Sequence, residues 1–222
     1  MRIHALLLLS TVSLPAASTL VLSDPAGVSI PDGTPTGVLR SLTFTAPEQI
    51  ITGISVDLAL SAPDGESTFL GDLYVYLTDG THLVTLLNRP GRDGSRPFGY
   101  GDEQGLDVTF QVGLGSDIHT YRETVTGDAA TPLPGTLTGT FTPDGRLSDP
   151  GSVLTSDPRE STLSDFVGFS ADRTFSLYAA DFSTGGLHTI DSWSLTLTTV
   201  PEPSSTLLAS LAPVILLTRR RR

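Results

Sequence analysis

Apolar and polar residues alternate with a period of two through much of this chain. Ile54, Val56, Leu58 and Leu60 share one parity, with Ser55, Asp57 and Ala59 between them. Leu73, Val75 and Leu77 alternate with Tyr74 and Tyr76, and Val108, Phe110 and Val112 with Thr109 and Gln111. The same holds for Phe175, Leu177 and Ala179, and for Trp193, Leu195 and Leu197. Leu42 with Phe44, and the run 83–87, add two more segments. Successive side chains of a strand point to opposite faces, so the pattern predicts strands buried on one side. From 19 to 199 no segment keeps a helical period beyond two turns. One-sided burial is what two antiparallel sheets packed face to face require. The fold class predicted is all-β, one sandwich domain over 19–199.

The punctuation between these runs agrees. Asp-Gly occurs at 32–33, 64–65, 79–80, 93–94 and 144–145. Glycine accepts positive φ and aspartate bonds the turn backbone, so each pair predicts a turn. Thr78-Asp79-Gly80-Thr81 predicts a hairpin joining 73–77 to 83–87. The stretch 113–164 is rich in Pro, Gly and Asp and reads as long loops around one or two strands, with 137–141 the best strand candidate.

The two ends differ from this middle. Met1-Arg2-Ile3-His4 precedes Ala5-Leu6-Leu7-Leu8-Leu9 and an apolar stretch ending Pro15-Ala16-Ala17-Ser18. A positive start, an apolar segment and a small-residue ending predict a secretory signal peptide over 1–18, cleaved after Ala17 or Ser18. The other end, 200–222, reads Val200-Pro201-Glu202-Pro203, an apolar run from Thr206 to Thr218, then Arg219, Arg220, Arg221 and Arg222. Thirteen helical residues span about 20 Å, short of the roughly 30 Å hydrocarbon core, so the run predicts only a transient membrane anchor. The Arg block would stay cytoplasmic and leave the domain outside.

Pro201-Glu202-Pro203, the apolar segment and the terminal arginines, in that order, resemble the PEP-CTERM sorting signal of Gram-negative bacteria. The resemblance implies an exosortase as partner beside the secretion machinery. It also implies cleavage near the Pro-Glu-Pro motif, and a destination at the cell surface or in the extracellular polysaccharide matrix. An ordinary C-terminal anchor would put the domain on the same side.

Charge narrows the partners. The formal net charge is −11, all 13 basic residues are Arg, and there is no Cys. Setting aside Arg2 and Arg219–Arg222 leaves eight Arg against 24 acids, a domain near −16. That field repels phosphate backbones and argues against nucleic acid. The absence of Cys removes disulfides and thiolate chemistry together. One basic cluster, Arg89, Arg92 and Arg96, either meets an acidic polymer or pairs with Asp93 or Asp102.

Three stretches resemble the P domain (Homo B) that follows the catalytic domain of proprotein convertases and bacterial subtilisin-like proteases. Ile54 to Leu58, then Gly71-Asp72-Leu73-Tyr74-Val75-Tyr76-Leu77 with Asp79-Gly80-Thr81, are similar to its first half. Phe175-Ser176-Leu177-Tyr178-Ala179-Ala180-Asp181 is similar to a Trp-x-Leu-x-Val-x-Asp strand, with Phe175 in the Trp place. Gly185-Gly186-Leu187 and Trp193-Ser194-Leu195 resemble its closing strand. The order holds from about 40 to 199, and the insertion 117–165 departs from it. The resemblance implies a jelly-roll, galactose-binding-like sandwich. The alternative function it implies is that of an accessory module to a separate serine protease.

Candidate chemistry is limited. A hydrolase triad needs a nucleophile on a strained turn with His and acid in reach. The domain has only His82, His119 and His188, none in such a setting, and 19–199 leaves no room for a protease domain besides. No catalytic residue is assigned. Calcium takes six to eight oxygens, often from Asp. Asp57, Asp72, Asp102, Asp107 and Asp181 lie at strand ends or adjacent loops and are candidate ligands, the alternative being turn bonding and solubility. Tyr74 and Tyr76 share a strand face and are candidates for stacking on sugar rings of a polysaccharide, the alternative being ordinary strand filling. The function these readings favour is a non-catalytic exported protein of adhesion, matrix structure or polymer binding.

Overall fold

The computed structural model describes residues 16–202 apart from 26, 64, 65 and 114. The apolar leader up to residue 15, Pro203 and Arg219–Arg222 lie outside the described residues. Among those described, eleven strands form two sheets. The larger contains β1 (Ser18–Asp24), β2 (Val28–Ile30), β4 (Gln49–Ser61), β7 (Leu106–Gln111), β8 (Ser116–Asp117), β9 (Leu137–Thr142) and β11 (His188–Pro201). Its order is β1-β11-β4-β7-β9-β8, with β2 continuing the edge that β1 begins on β11. The smaller sheet runs β3 (Thr34–Phe44), β10 (Arg173–Asp181), β5 (Leu73–Thr78), β6 (Leu83–Asn88).

The alternating positions make the core. Ile54, Val56, Leu58 and Leu60 of β4 are buried, as are Leu73, Val75 and Leu77 of β5 and Phe175, Leu177 and Ala179 of β10. Trp193, Leu195 and Leu197 of β11 complete a single cluster drawn from both sheets. Each Val, Leu, Ile or Phe among them contributes about 1.5–3 kcal/mol on burial, and that gain holds the two sheets face to face as a β-sandwich. Val112 departs from its pattern and is exposed, because β7 ends at Gln111.

The hairpin forms as its sequence predicts. Gly80 takes φ +85°, and Asp79 Oδ1 accepts from the backbone N–H of Thr81 (2.9 Å) and His82 (2.7 Å). Asp144-Gly145 makes no hairpin. Gly145 N donates to the Thr85 carbonyl and Asp144 N to that of Leu86, so this pair lies along β6. The cover it provides explains why Val84 to Asn88 are buried without alternation.

Two pairings are parallel, β7 with β9 and β9 with β8, where antiparallel sheets were expected. A parallel neighbour needs a long crossover, and the segment 112–136 supplies it. That segment carries β8, a 3-10 turn at Ile118–Thr120 and one short helix, α1 (Tyr121–Val125). Strand β9 covers the predicted 137–141. Strand β11 runs on through Pro201, which pairs with Gln49, and Glu202 N donates to the Glu48 carbonyl at 2.9 Å. The final strand therefore includes the first residue of the Pro-Glu-Pro motif.

Candidate functional site

The five aspartates fall in three places. Asp57 and Asp107 line a shallow depression of about 100 Å³ on the outer face of the large sheet. Asp57 lies between its neighbours across the sheet, accepting from the hydroxyls of Thr109 (2.6 Å) and Ser194 (2.8 Å). Asp102 takes a bidentate bond from Arg122 (2.7 and 2.9 Å), with the Tyr121 hydroxyl and the Leu133 N–H as further donors. Burial, and then that carboxylate, push the Tyr121 phenol far above its ordinary range. Asp72 and Asp181 form the third group, where the start of β5 adjoins the end of β10. Among the described residues no three His, Asp or Glu side chains have the geometry of a metal site.

Asp72 and Asp181 sit at one end of the sandwich, where Leu73 of β5 pairs with Asp181 of β10. The chain between β4 and β5 lines up with the chain after β6: Thr68, Leu70 and Gly71 donate to the carbonyls of Glu103, Asp102 and Tyr100. The β10–β11 connection is tied to both, with Phe182 N on the Asp72 carbonyl and Leu187 N on that of Ser67. Gly71 permits this closeness, since a Cβ there would lie 2.4 Å from the Phe98 carbonyl oxygen and 2.6 Å from Tyr100 N. Between these loops opens a cleft of about 520 Å³, its walls formed by Phe69, Phe98, Tyr100 and Phe182, with Asp72 and Ser183 beside them.

Under the cleft lies a buried charge cluster. Arg89 is buried and holds φ +49°, the only positive φ outside glycine among the described residues. Such a backbone costs of order 1–3 kcal/mol and persists only where neighbours over-determine it. Here Arg89 Nε donates to the Gly71 carbonyl (3.0 Å) and Nη2 to Ser183 Oγ (2.7 Å), with Asp72 Oδ1 at 3.5 Å. Burial lowers the Arg89 pKa from its usual value, against the pull of Asp72. Burial likewise raises the Asp72 carboxyl, opposed by Ser183 and reinforced by Asp181. Asp181 Oδ2 stands 3.1 Å from His188 Nε2, both fully buried and out of hydrogen-bonding alignment.

Tyr74 and Tyr76 do share the outer face of the small sheet, within one aromatic group. Tyr76 stacks on Tyr178 at 4.7 Å and 19°, which occupies one face of its ring. Tyr74 meets Phe182 edge-on at 5.8 Å and so props a wall of the cleft. The basic cluster dissolves: Arg89 turns inward, Arg92 binds the carbonyls of Val153 (2.6 Å) and Gly151 (2.5 Å), and Arg96 pairs with Asp93.

The cleft was not visible in the sequence, because Phe69, Phe98 and Phe182 come from separate loops. The insertion also holds an unforeseen hub. His119 Nδ1 lies 2.7 Å from Asp144 Oδ2, and Arg146 bridges Asp144 (3.1 Å) to Asp117 (2.9 Å). An Asp-Gly pair carries that signal, but it reads as a turn.

No family model matches the chain, and no curated protein does. Among solved structures, a serine protease of Aeromonas sobria is similar at 15% identity and a TM-score of 0.42. The match covers 83% of this chain and 27% of the protease, so the chain spans little more than a quarter of that protein.

Proposed function

We propose that this chain is a non-catalytic exported protein of P-domain, jelly-roll type. In this reading its tail holds it at the cell surface or in the extracellular matrix of a Gram-negative bacterium, where it binds polysaccharide. One observation carries the reading: the cleft lies at the opposite end of the sandwich from Ser18 and Pro201. Strand β11 begins at His188, under the cleft, and finishes at Pro201. Its 14 residues, at about 3.3 Å each, separate those ends by roughly 40 Å. Ser18 of β1 pairs with Thr199, so the chain enters the domain where it leaves it. A protein tethered through residues 203–222 would present its cleft away from the membrane.

In this reading the three histidines of the domain serve packing and charge pairing. His82, His119 and His188 each put a ring nitrogen near an Asp carboxylate. Among the described residues no Ser or Thr hydroxyl bonds to any of the three rings. The test is fractionation of a Gram-negative host that has an exosortase, expressing the full chain beside a variant with Pro201, Glu202 and Pro203 changed to Ala. The expected result is surface or matrix recovery of the wild type, enriched in polysaccharide, and loss of that fraction in the variant. Cytoplasmic retention of both would overturn export. Recovery with a serine protease and without polysaccharide would replace this role by that of an accessory protease module.

A further inference from the structure

We infer that the distal cleft is a saccharide site that selects uncharged pyranose units, with Phe98 as stacking platform and Asp72 as hydroxyl acceptor. The inference rests on the polysaccharide-binding reading above and gives it a place and a chemistry. The volume, about 520 Å³, falls within the ~300–1,000 Å³ range of small-molecule sites. Phe98 is 69% exposed at the rim, the highest exposure of any large apolar side chain among the described residues. Its loop is held from beneath, with Gly99 at φ +74° donating to the Arg96 carbonyl and Tyr100 N donating to that of Pro90. A ring so exposed on a pinned loop loses little freedom when a flat apolar partner covers it.

The polar floor decides the charge of the ligand. Asp72 is the one charged residue lining the cleft, and behind it stand Arg89 and then Asp181 with His188. An acidic sugar would meet the carboxylate of Asp72 in an acidic domain. A cationic one would find the Asp72 charge already offset by the buried Arg89 guanidinium, 3.5 Å behind it. A hydroxyl carries no charge and can donate to Asp72 while accepting from Ser183 or Thr184, which also line the cleft. The face of a pyranose ring is apolar and its edge is a row of hydroxyls, which matches a Phe wall beside a polar floor.

The experiment is calorimetric titration of the full-length protein, purified in detergent, with neutral gluco- and galacto-oligosaccharides. Oligogalacturonate, chitosan oligomers and a lysine-rich peptide serve as charged competitors. Binding of at least one neutral oligosaccharide at millimolar concentration or below is expected. Phe98→Ala should weaken it about 3- to 10-fold with an unchanged melting midpoint, since the ring is exposed. Asp72→Asn, which keeps the shape, should weaken it at least about 10-fold. Tighter binding of the charged sugars or of the peptide would overturn the proposal, as would no binding to any neutral oligosaccharide. Matrix association of the Phe98→Ala and Asp72→Asn variants at wild-type level would also overturn it while leaving the wider function standing. Failure of export would strike the wider reading instead.

Discussion

Arg89 places its guanidinium 3.5 Å from the carboxylate of Asp72 while its own backbone holds the left-handed conformation. The strained backbone and the buried side chain belong to the same residue. In that conformation the chain leaving β6 turns the side chain inward, where it bonds the Gly71 carbonyl and Ser183. The pair ties the three loops of the cleft together.

Arg89→Met should therefore destabilise the fold by about 3–5 kcal/mol, because it strands buried carboxylates without their cation. Adding Asp72→Asn should restore part of that loss. Arg89→Gly removes the same charge and relieves the backbone, so it should be milder than Arg89→Met by about 1 kcal/mol. Chemical denaturation measures all three, and a Met variant as stable as wild type would refute the role.

Acid sensitivity should come from the opposite end of the sandwich. Burial raises the Asp79 carboxyl, but the N–H groups of His82 and Thr81, the His82 ring and Arg173 together hold it below its ordinary range. A lowered folded pKa gives stability above the unfolded value, near 3.9, that is lost as pH falls through the folded one. Asp72, with its pKa raised, works with the reverse sign, its ionisation weakening the fold as pH rises. Asp79→Asn should cost about 1–3 kcal/mol at neutral pH and flatten the decline of stability below pH 4. A variant whose acid curve overlays the wild type would exclude Asp79 as the source.

The insertion should loosen when its hub is removed. Asp144 binds His119, Arg146 and the Asn88 N–H with its side chain fully buried. The chain has no Lys, so trypsin can cut only at Arg. Asp144→Ala should open cleavage after Arg146 and Arg159 in a folded protein, seen as early fragments in limited digestion. Wild-type resistance of the variant would mean that the cover on β6 stands without the hub.

Calcium should not stabilise the domain through Asp57, Asp72, Asp102 and Asp181. Asp57 and Asp102 are taken up by protein donors, and Asp72 with Asp181 already has a guanidinium beside it. A site at a hundredfold excess of metal would add about 2.7 kcal/mol, a shift of several degrees. Melting in millimolar calcium and in chelator is expected to coincide. A clear difference would show that oxygens outside this set bind the ion.

Much of the sandwich was readable in the chain because a strand's faces alternate whatever it pairs with. That fixed the buried parity of β4, β5, β10 and β11, and the local chemistry of Asp79-Gly80 fixed a hairpin. Strand β1 carries the same signal in its alternating Leu20 and Leu22, which pack on the core, but its pattern merges with the apolar leader that it adjoins. The candidate site was legible only in pieces. Asp72, Asp181 and Tyr74 carry local signals in or beside their strands, whereas Arg89 stands in a basic cluster whose partner the sequence leaves open, and Phe98 belongs to no pattern.

The sequence by itself determined which face of each main strand is apolar, and that the chain is an acidic all-β domain without cysteine. Both follow from local periodicity and composition. Only the tertiary structure decided that β7 and β9 run parallel, that Arg89 is buried, and that Phe69, Phe98 and Phe182 wall one cleft around Asp72. Those outcomes depend on which loops meet at the end of the sandwich. Residues distant along the chain settle that by sharing backbone hydrogen bonds and buried charge.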